Sequence, residues 1–128
     1  MMPRYSLPGL LVLVGTCFSG PSLLGAETNP RDLAQRQVEF GIEVARKGLW
    51  KEAVFRWQKA LEVDPDNARA RNNLGVAYEQ EGQFELAEAE YKRALELDSE
   101  NMYIRQNYEL FREGYERRKR KVRSANLP

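Results

Sequence analysis

The chain has 128 residues, with 20 Lys/Arg against 19 Asp/Glu, no histidine and a single cysteine, Cys17. That length suits one small domain. With no histidine and its one cysteine in the atypical N-terminal segment described next, the rest of the chain lacks the commonest general base, the commonest metal ligand and the most nucleophilic side chain, which excludes most catalytic and metal-site designs. The charge is unevenly placed: residues 27–111 hold 12 Lys/Arg and 17 Asp/Glu, whereas residues 112–128 hold 7 and 2. An acidic body is followed by a basic end.

Residues 1–26 differ from all that follow. They carry one charge, Arg4, and their apolar run is the short GLLVLVG. A spanning helix needs about 20 predominantly apolar residues, but Pro8, Gly9, Gly15, Gly20 and Pro21 interrupt this stretch. What remains is an apolar core of signal-peptide size behind a basic start. The segment reads as an export signal, with cleavage expected after Ala26, which sends the mature chain to the periplasm or outside the cell. Two alternatives compete with this reading. One is lipidation of Cys17, although Thr16 stands where a bacterial lipobox takes Gly, Ala or Ser; the other is retention of the segment as a membrane anchor.

The next segments are written twice. KALEVDPDN, residues 59–67, returns as RALELDSEN, residues 93–101. Aligning 34–67 with 68–101 without a gap pairs Ala34/Ala68, Gly41/Gly75, Gly48/Gly82, Ala53/Ala87, Ala60/Ala94, Leu61/Leu95, Asp64/Asp98 and Asn67/Asn101. Trp50/Phe84 and Trp57/Tyr91 keep aromatic character. Self-similarity at this period, with glycine and alanine at fixed points, is the signature of stacked helical units.

Each unit is expected to hold two helices. The first starts at Asn29-Pro30-Arg31-Asp32, an asparagine cap followed by proline and an acid, and runs to about Lys47. Gly48 breaks it. A second helix over Trp50 to Val63 places Ala53, Trp57, Ala60 and Leu61 on one face, and Asp64-Pro65-Asp66-Asn67 stops it and caps the next. The plan repeats, with Gly82 as the turn and Asp98-Ser99 as the stop. A third unit begins with an apolar stripe of Ile104, Tyr108, Phe111 and Tyr115, but Glu109 occupies the place of Gly41 and Gly75. Residues 102–115 are therefore expected to form a capping helix, and residues 116–128 a basic tail.

These residues carry a family likeness. With Phe40-Gly41, Gly48, Trp50, Ala53, Trp57, Ala60 and Pro65 in one unit and Leu74-Gly75, Tyr78, Gly82, Phe84, Ala87, Tyr91 and Ala94 in the next, the chain resembles tetratricopeptide repeat proteins from about Asn29 to Tyr115. Gln37 and Arg71, where the family often has tryptophan, and Ser99, in place of a proline, depart from its pattern. The resemblance implies an all-α fold: a short right-handed α-solenoid of two helix-turn-helix units plus a C-terminal capping helix.

It also implies a concave groove lined by the first helix of each unit, taking a peptide or a partner helix. Here that groove would draw on Val38, Ile42 and Arg46, then Arg69, Asn72, Asn73 and Val76, then Asn107 and Leu110. Apolar pockets and side-chain amides of this kind suit an extended peptide; alternatively the apolar members pack between neighbouring first helices. Family members that clamp a chaperone's terminal carboxylate use basic residues where this chain has Val38, Tyr103 and Asn107, so that mode is not expected. Glu79, Glu81, Glu85, Glu88 and Glu90 read as a solvated face.

Arg117, Arg118, Lys119, Arg120, Lys121 and Arg123 form a second candidate site, six cations in seven residues. They suit an anionic membrane or polymer surface, fit nucleic acid less well because no aromatic is interleaved to stack bases, or simply solubilise the end of the chain. No nucleophile–base pair, metal set or phosphate loop appears, so no cofactor is expected. The leading reading is a non-catalytic adaptor for a protein partner; the alternative is association with an anionic surface, the repeats mediating assembly. Self-association is a further way to cover so short a stack.

Overall fold

A computed structural model describes residues 29–127; the expected export signal, the cleavage point at Ala26 and Cys17 lie outside them. Five helices follow in order: α1 Pro30–Arg46, α2 Trp50–Val63, α3 Ala68–Gln80, α4 Phe84–Leu97 and α5 Met102–Ala125. Short turns pair α1 with α2 and α3 with α4 as helical hairpins. The hairpins stack through α2 and α3, and α5 closes on α4 and α3. The result is an all-α solenoid with no strand among the described residues.

The duplicated sequence produces duplicated caps. Asn29 Oδ1 accepts from the Arg31 N–H at 3.0 Å, with Pro30 at the first helical position and Asp32 in the first turn. Gly48 and Gly82 adopt φ of 78° and 74°, the left-handed conformation that a side chain resists. This lets the Leu49 N–H reach the Val44 carbonyl and the Gln83 N–H reach the Tyr78 carbonyl at 3.0 and 2.8 Å, closing α1 and α3 as Schellman motifs. Asn67 and Asn101 then start α3 and α5. Their side chains accept from Ala70 N–H at 2.9 Å and Ile104 N–H at 3.3 Å and donate to Asp64 and Asp98 at 3.2 and 2.9 Å. The recurring Asp and Asn of the repeated segment are these caps.

Within each hairpin a glycine admits an aromatic ring. Trp57 covers Gly41 so closely that a Cβ there would meet its Cδ1 at 2.7 Å, and Tyr91 lies over Gly75 with Cδ1 at 2.8 Å from the same ideal position. The Trp57 indole N–H donates to the Val38 carbonyl at 3.1 Å, so the close approach leaves no buried donor idle. Around Trp57 pack Ala34, Val38, Ala53, Ala60, Ala70 and Leu74; Tyr91 packs with Ala87 and Phe111 in a second cluster. Arg71, where a tryptophan was the family's habit, instead spans the units: it pairs with Glu90 at 3.0 Å and donates to the Pro65 carbonyl.

The expected boundary at residues 115 and 116 is not a structural one. α5 continues through the basic segment to Ala125, so capping helix and tail are one element. The apolar stripe ends at Tyr115, but helix formation does not depend on it. Arg, Lys and Glu are strong helix formers, Lys119 bridges Glu116 at 3.1 Å, and Arg123 in the last turn complements the helix dipole.

Two outcomes are expected. Gly41→Ala destabilises by about 1–2 kcal/mol in urea unfolding, because crowding of the indole outweighs alanine's better helix propensity; Gly75→Ala has a smaller effect, its aromatic neighbour being less close. The second concerns alkaline pH. Burial, followed by the Glu79 carboxylate that accepts from its hydroxyl at 3.1 Å, holds the Tyr91 phenol far above the usual tyrosine range. An unfolded tyrosine ionises near pH ~10, so this contribution to stability is fully present below that pH and is lost as pH rises past it. The Tm of Tyr91→Phe accordingly declines less steeply than that of the parent above about pH 10.

Candidate functional site

The first helices of the units present one continuous hollow surface. Ile42, Ala45, Arg46, Trp50, Trp57, Asn73 and Val76 surround an apolar hollow of about 330 Å³. Arg46 and Ile42 also border a neighbouring hollow of about 420 Å³ with Glu39, Glu43 and Arg69. Arg69 and Asn73 in turn border a polar hollow of about 400 Å³, completed by Asn72, Asp98, Asn101, Tyr103, Ile104 and Asn107. Shared walls join the three into a groove running from α1 across α3 to the first half of α5. One end is apolar; the other is lined by amides.

Most of the expected groove residues are brought together here; Val38 and Leu110 line none of the three hollows, and Asn72 lines one only in part. Val38 is completely buried; it faces α2, where its carbonyl receives the Trp57 indole, and it belongs to the core. Asn72 is also buried. Its Oδ1 accepts from Asn107 Nδ2 at 3.0 Å and its Nδ2 lies 3.4 Å from Asn73 Oδ1. The Asn72–Asn107 pair therefore ties α3 to α5, with only the edges of these side chains on the polar hollow. Leu110 stands exposed on α5 outside the lining of the three hollows. Trp50, absent from the expected set, forms a wall of the apolar hollow. Its position just after the turn glycine placed it on the second helix, and only the hairpin's closure turns it toward α1 and α3.

Asn73 is the polar centre of the groove. It lines both the apolar and the amide-rich hollows, and its Nδ2 is buried with no hydrogen-bond partner among the described residues. A buried, unmade hydrogen bond of this kind costs about 1–3 kcal/mol. The exposed Arg46 and Arg69 beside it make no ion pair among the described residues, whereas neighbouring Glu43 pairs with Lys47 at 3.1 Å. The groove thus offers two guanidinium groups next to an apolar recess, with the unmet Asn73 amide just beneath its surface.

The glutamates expected as a solvated face are mostly engaged. Glu79 accepts from Tyr91, Glu85 from Tyr115 at 2.8 Å and Glu90 from Arg71, and Glu88 pairs with Lys92 at 3.0 Å. The Tyr115 hydrogen bond holds the Glu85 carboxyl below the usual range and, reciprocally, raises the Tyr115 phenol. Only Glu81 of the five keeps an open carboxylate among the described residues.

The six cations of the basic segment are not equivalent. Arg118 stacks its guanidinium 4.3 Å from the Phe84 ring centroid, and the Lys119 ammonium lies 3.9 Å from that of Tyr115. Arg117, Arg120, Lys121 and Arg123 are exposed and have no side-chain partner among the described residues. No helix among the described residues is long and apolar enough to cross a membrane, and they contain no cluster of three acidic, histidine or cysteine side chains suited to a metal ion.

Residues 38–101 match the family model described as tetratricopeptide repeat. No curated protein matches the chain. Asn73→Ala removes an unmet donor but also strands the Asn72 amide that donates to Asn73 Oδ1, so it is expected to change stability by no more than about 1 kcal/mol in either direction in urea unfolding. Asn72→Ala, which strands the Asn107 amide, is expected to lower stability by about 1–2 kcal/mol in the same urea series.

Proposed function

The chain belongs to the tetratricopeptide repeat family, whose repeats generally mediate protein–protein interaction, and we propose that it is a non-catalytic adaptor holding an extended peptide segment of a partner in the groove of α1, α3 and α5. The observation that carries this reading is the buried Asn73 Nδ2, a donor without an acceptor at the junction of an apolar and an amide-lined hollow. Rotation of the Asn73 side chain on binding would bring this amide to a backbone carbonyl of an extended peptide. On one side of this contact an apolar peptide side chain fits the recess between Ile42, Trp50, Trp57 and Val76. On the other, Arg46 and Arg69 favour an acidic residue or a terminal carboxylate.

The recess is largely preformed, since Trp57 is fixed by its own hydrogen bond and by Gly41, so binding orders few protein side chains. The export reading of residues 1–26 brings this adaptor to the periplasm or outside the cell. If so, mass spectrometry of the protein purified from its native cell finds an N-terminus at Glu27; an N-terminus at Met1 or a lipid-modified Cys17 contradicts it.

Peptides selected from a random display library against the full chain test the groove. The selected sequences are expected to share an apolar anchor next to an acid. Their affinity, measured by calorimetry, is expected to fall at least about tenfold in Ile42→Arg and in Arg46→Glu/Arg69→Glu, and about three- to tenfold in Asn73→Ala. Peptides that bind all three variants as they bind the parent would place the binding surface elsewhere.

A further inference from the structure

We propose that the far end of α5 is a rigid docking arm for an anionic phospholipid surface, independent of the groove. The arm begins where the body stops. Tyr115 stacks on Phe84 at 5.5 Å, and Phe84 is the first residue of α4. The ten residues of α5 that follow rise about 15 Å along the helix axis.

Within the arm the charges are sorted by their surroundings. Tyr115, Arg118 and Val122 recur at helical spacing on the side turned to α4, where Arg118 lies on Phe84. Arg117, Arg120 and Lys121, spaced three and four apart, share a different side, and together with Arg123 they have no side-chain partner among the described residues. That leaves Arg117, Arg120 and Lys121 on the side away from α4, Arg123 at the rim of the hollow beside Glu85, and two cations spent on aromatic rings.

The shape suits a flat surface. The body carries 12 Lys/Arg and 17 Asp/Glu over residues 27–111, so an anionic bilayer repels it at close range. At physiological salt that repulsion is screened beyond about 8 Å; at about 1.5 Å per residue Lys121 and Arg123 stand roughly 9 and 12 Å past Tyr115 along the helix axis, far enough to reach headgroups with much of the body outside that range. A flexible polyanion has no need of such a reach, since it can bend to cations set flush with the body. Nor does the arm present a ring for stacking bases: Tyr115 is packed between Phe84 and Phe111 and lies under Lys119. The arginines suit phosphodiester groups, which they bind in bidentate fashion. No described helix is long and apolar enough to cross a bilayer; the proposed attachment is electrostatic adsorption through the exposed cations.

The test is co-sedimentation of the full chain with phosphatidylcholine vesicles, with and without one third phosphatidylglycerol. Comparing full-length variants cancels any contribution of residues 1–28. Arg117→Gln/Arg120→Gln/Lys121→Gln/Arg123→Gln is expected to lose about three orders of magnitude in partitioning to the anionic vesicles, on a scale of about 1 kcal/mol per cation near the surface, with unchanged helicity and no change on neutral vesicles.

Two double variants of equal charge separate geometry from net charge. Arg120→Gln/Lys121→Gln is expected to weaken binding about thirtyfold, whereas Arg118→Gln/Lys119→Gln stays within about twofold of the parent and instead lowers Tm. Equal losses from the two doubles would overturn the assignment of the docking face, and undiminished binding by the quadruple variant would overturn the proposal. Displacement of the parent from vesicles by a charge-equivalent amount of RNA would reassign the arm to nucleic acid.

Discussion

The structure depends on two close approaches: an aromatic ring of one helix lying directly on a glycine of its hairpin partner. Trp57 on Gly41 and Tyr91 on Gly75 leave no room for a Cβ, which fixes how near α1 lies to α2 and α3 to α4. Alanines at 34, 53, 60, 70, 77, 87 and 94, all completely buried, are the further consequence, because helices held this close admit only small side chains around the ring. In the third unit Glu109 stands at the corresponding position. A Cβ there keeps a ring from settling as closely, and among the described residues no second helix pairs with α5.

The two approaches differ in their polar complement, and the difference reaches the surface. Trp57 donates to a backbone carbonyl within its own hairpin, leaving its ring edge as a wall of the groove. Tyr91 donates to Glu79 and is covered by Phe111 and Tyr108 of α5. The first unit therefore keeps an apolar recess where the second has been filled by the cap. The groove is asymmetric as a result, apolar toward α1 and amide-lined toward α5, and the unmet Asn73 donor sits where the two characters meet.

α5 serves two ends of the molecule in different ways. Its first half supplies the aromatic cover for α4 and, through Asn107 to Asn72, a polar tie to α3. Its second half continues on helix propensity and local ion pairs, with few contacts to the rest of the chain. A single uninterrupted helix thus joins a packed terminus to an exposed cationic one, and the orientation of the latter is inherited from the packing of the former.

Helix positions were legible in the sequence because their determinants are local. Asn, Pro and Asp at the starts, glycine at positions requiring positive φ, and the apolar spacing of Ala53, Trp57 and Ala60 act within one or two turns, and α2 spans Trp50–Val63 as its spacing indicated. The 34-residue duplication fixed the number of hairpins. What the sequence could not settle was which neighbour each helix face would meet. Val38 and Ile42 lie one turn apart on the same apolar face, yet one is core and the other borders the groove, because α2 and α3 flank that face at different depths. Asn72 and Asn107 are 35 residues apart, and only the docking of α5 joins them. The six cations were likewise equivalent in sequence, and the rings of Phe84 and Tyr115 made them unequal. Local chemistry chose the elements; long-range packing chose which side chains remained available.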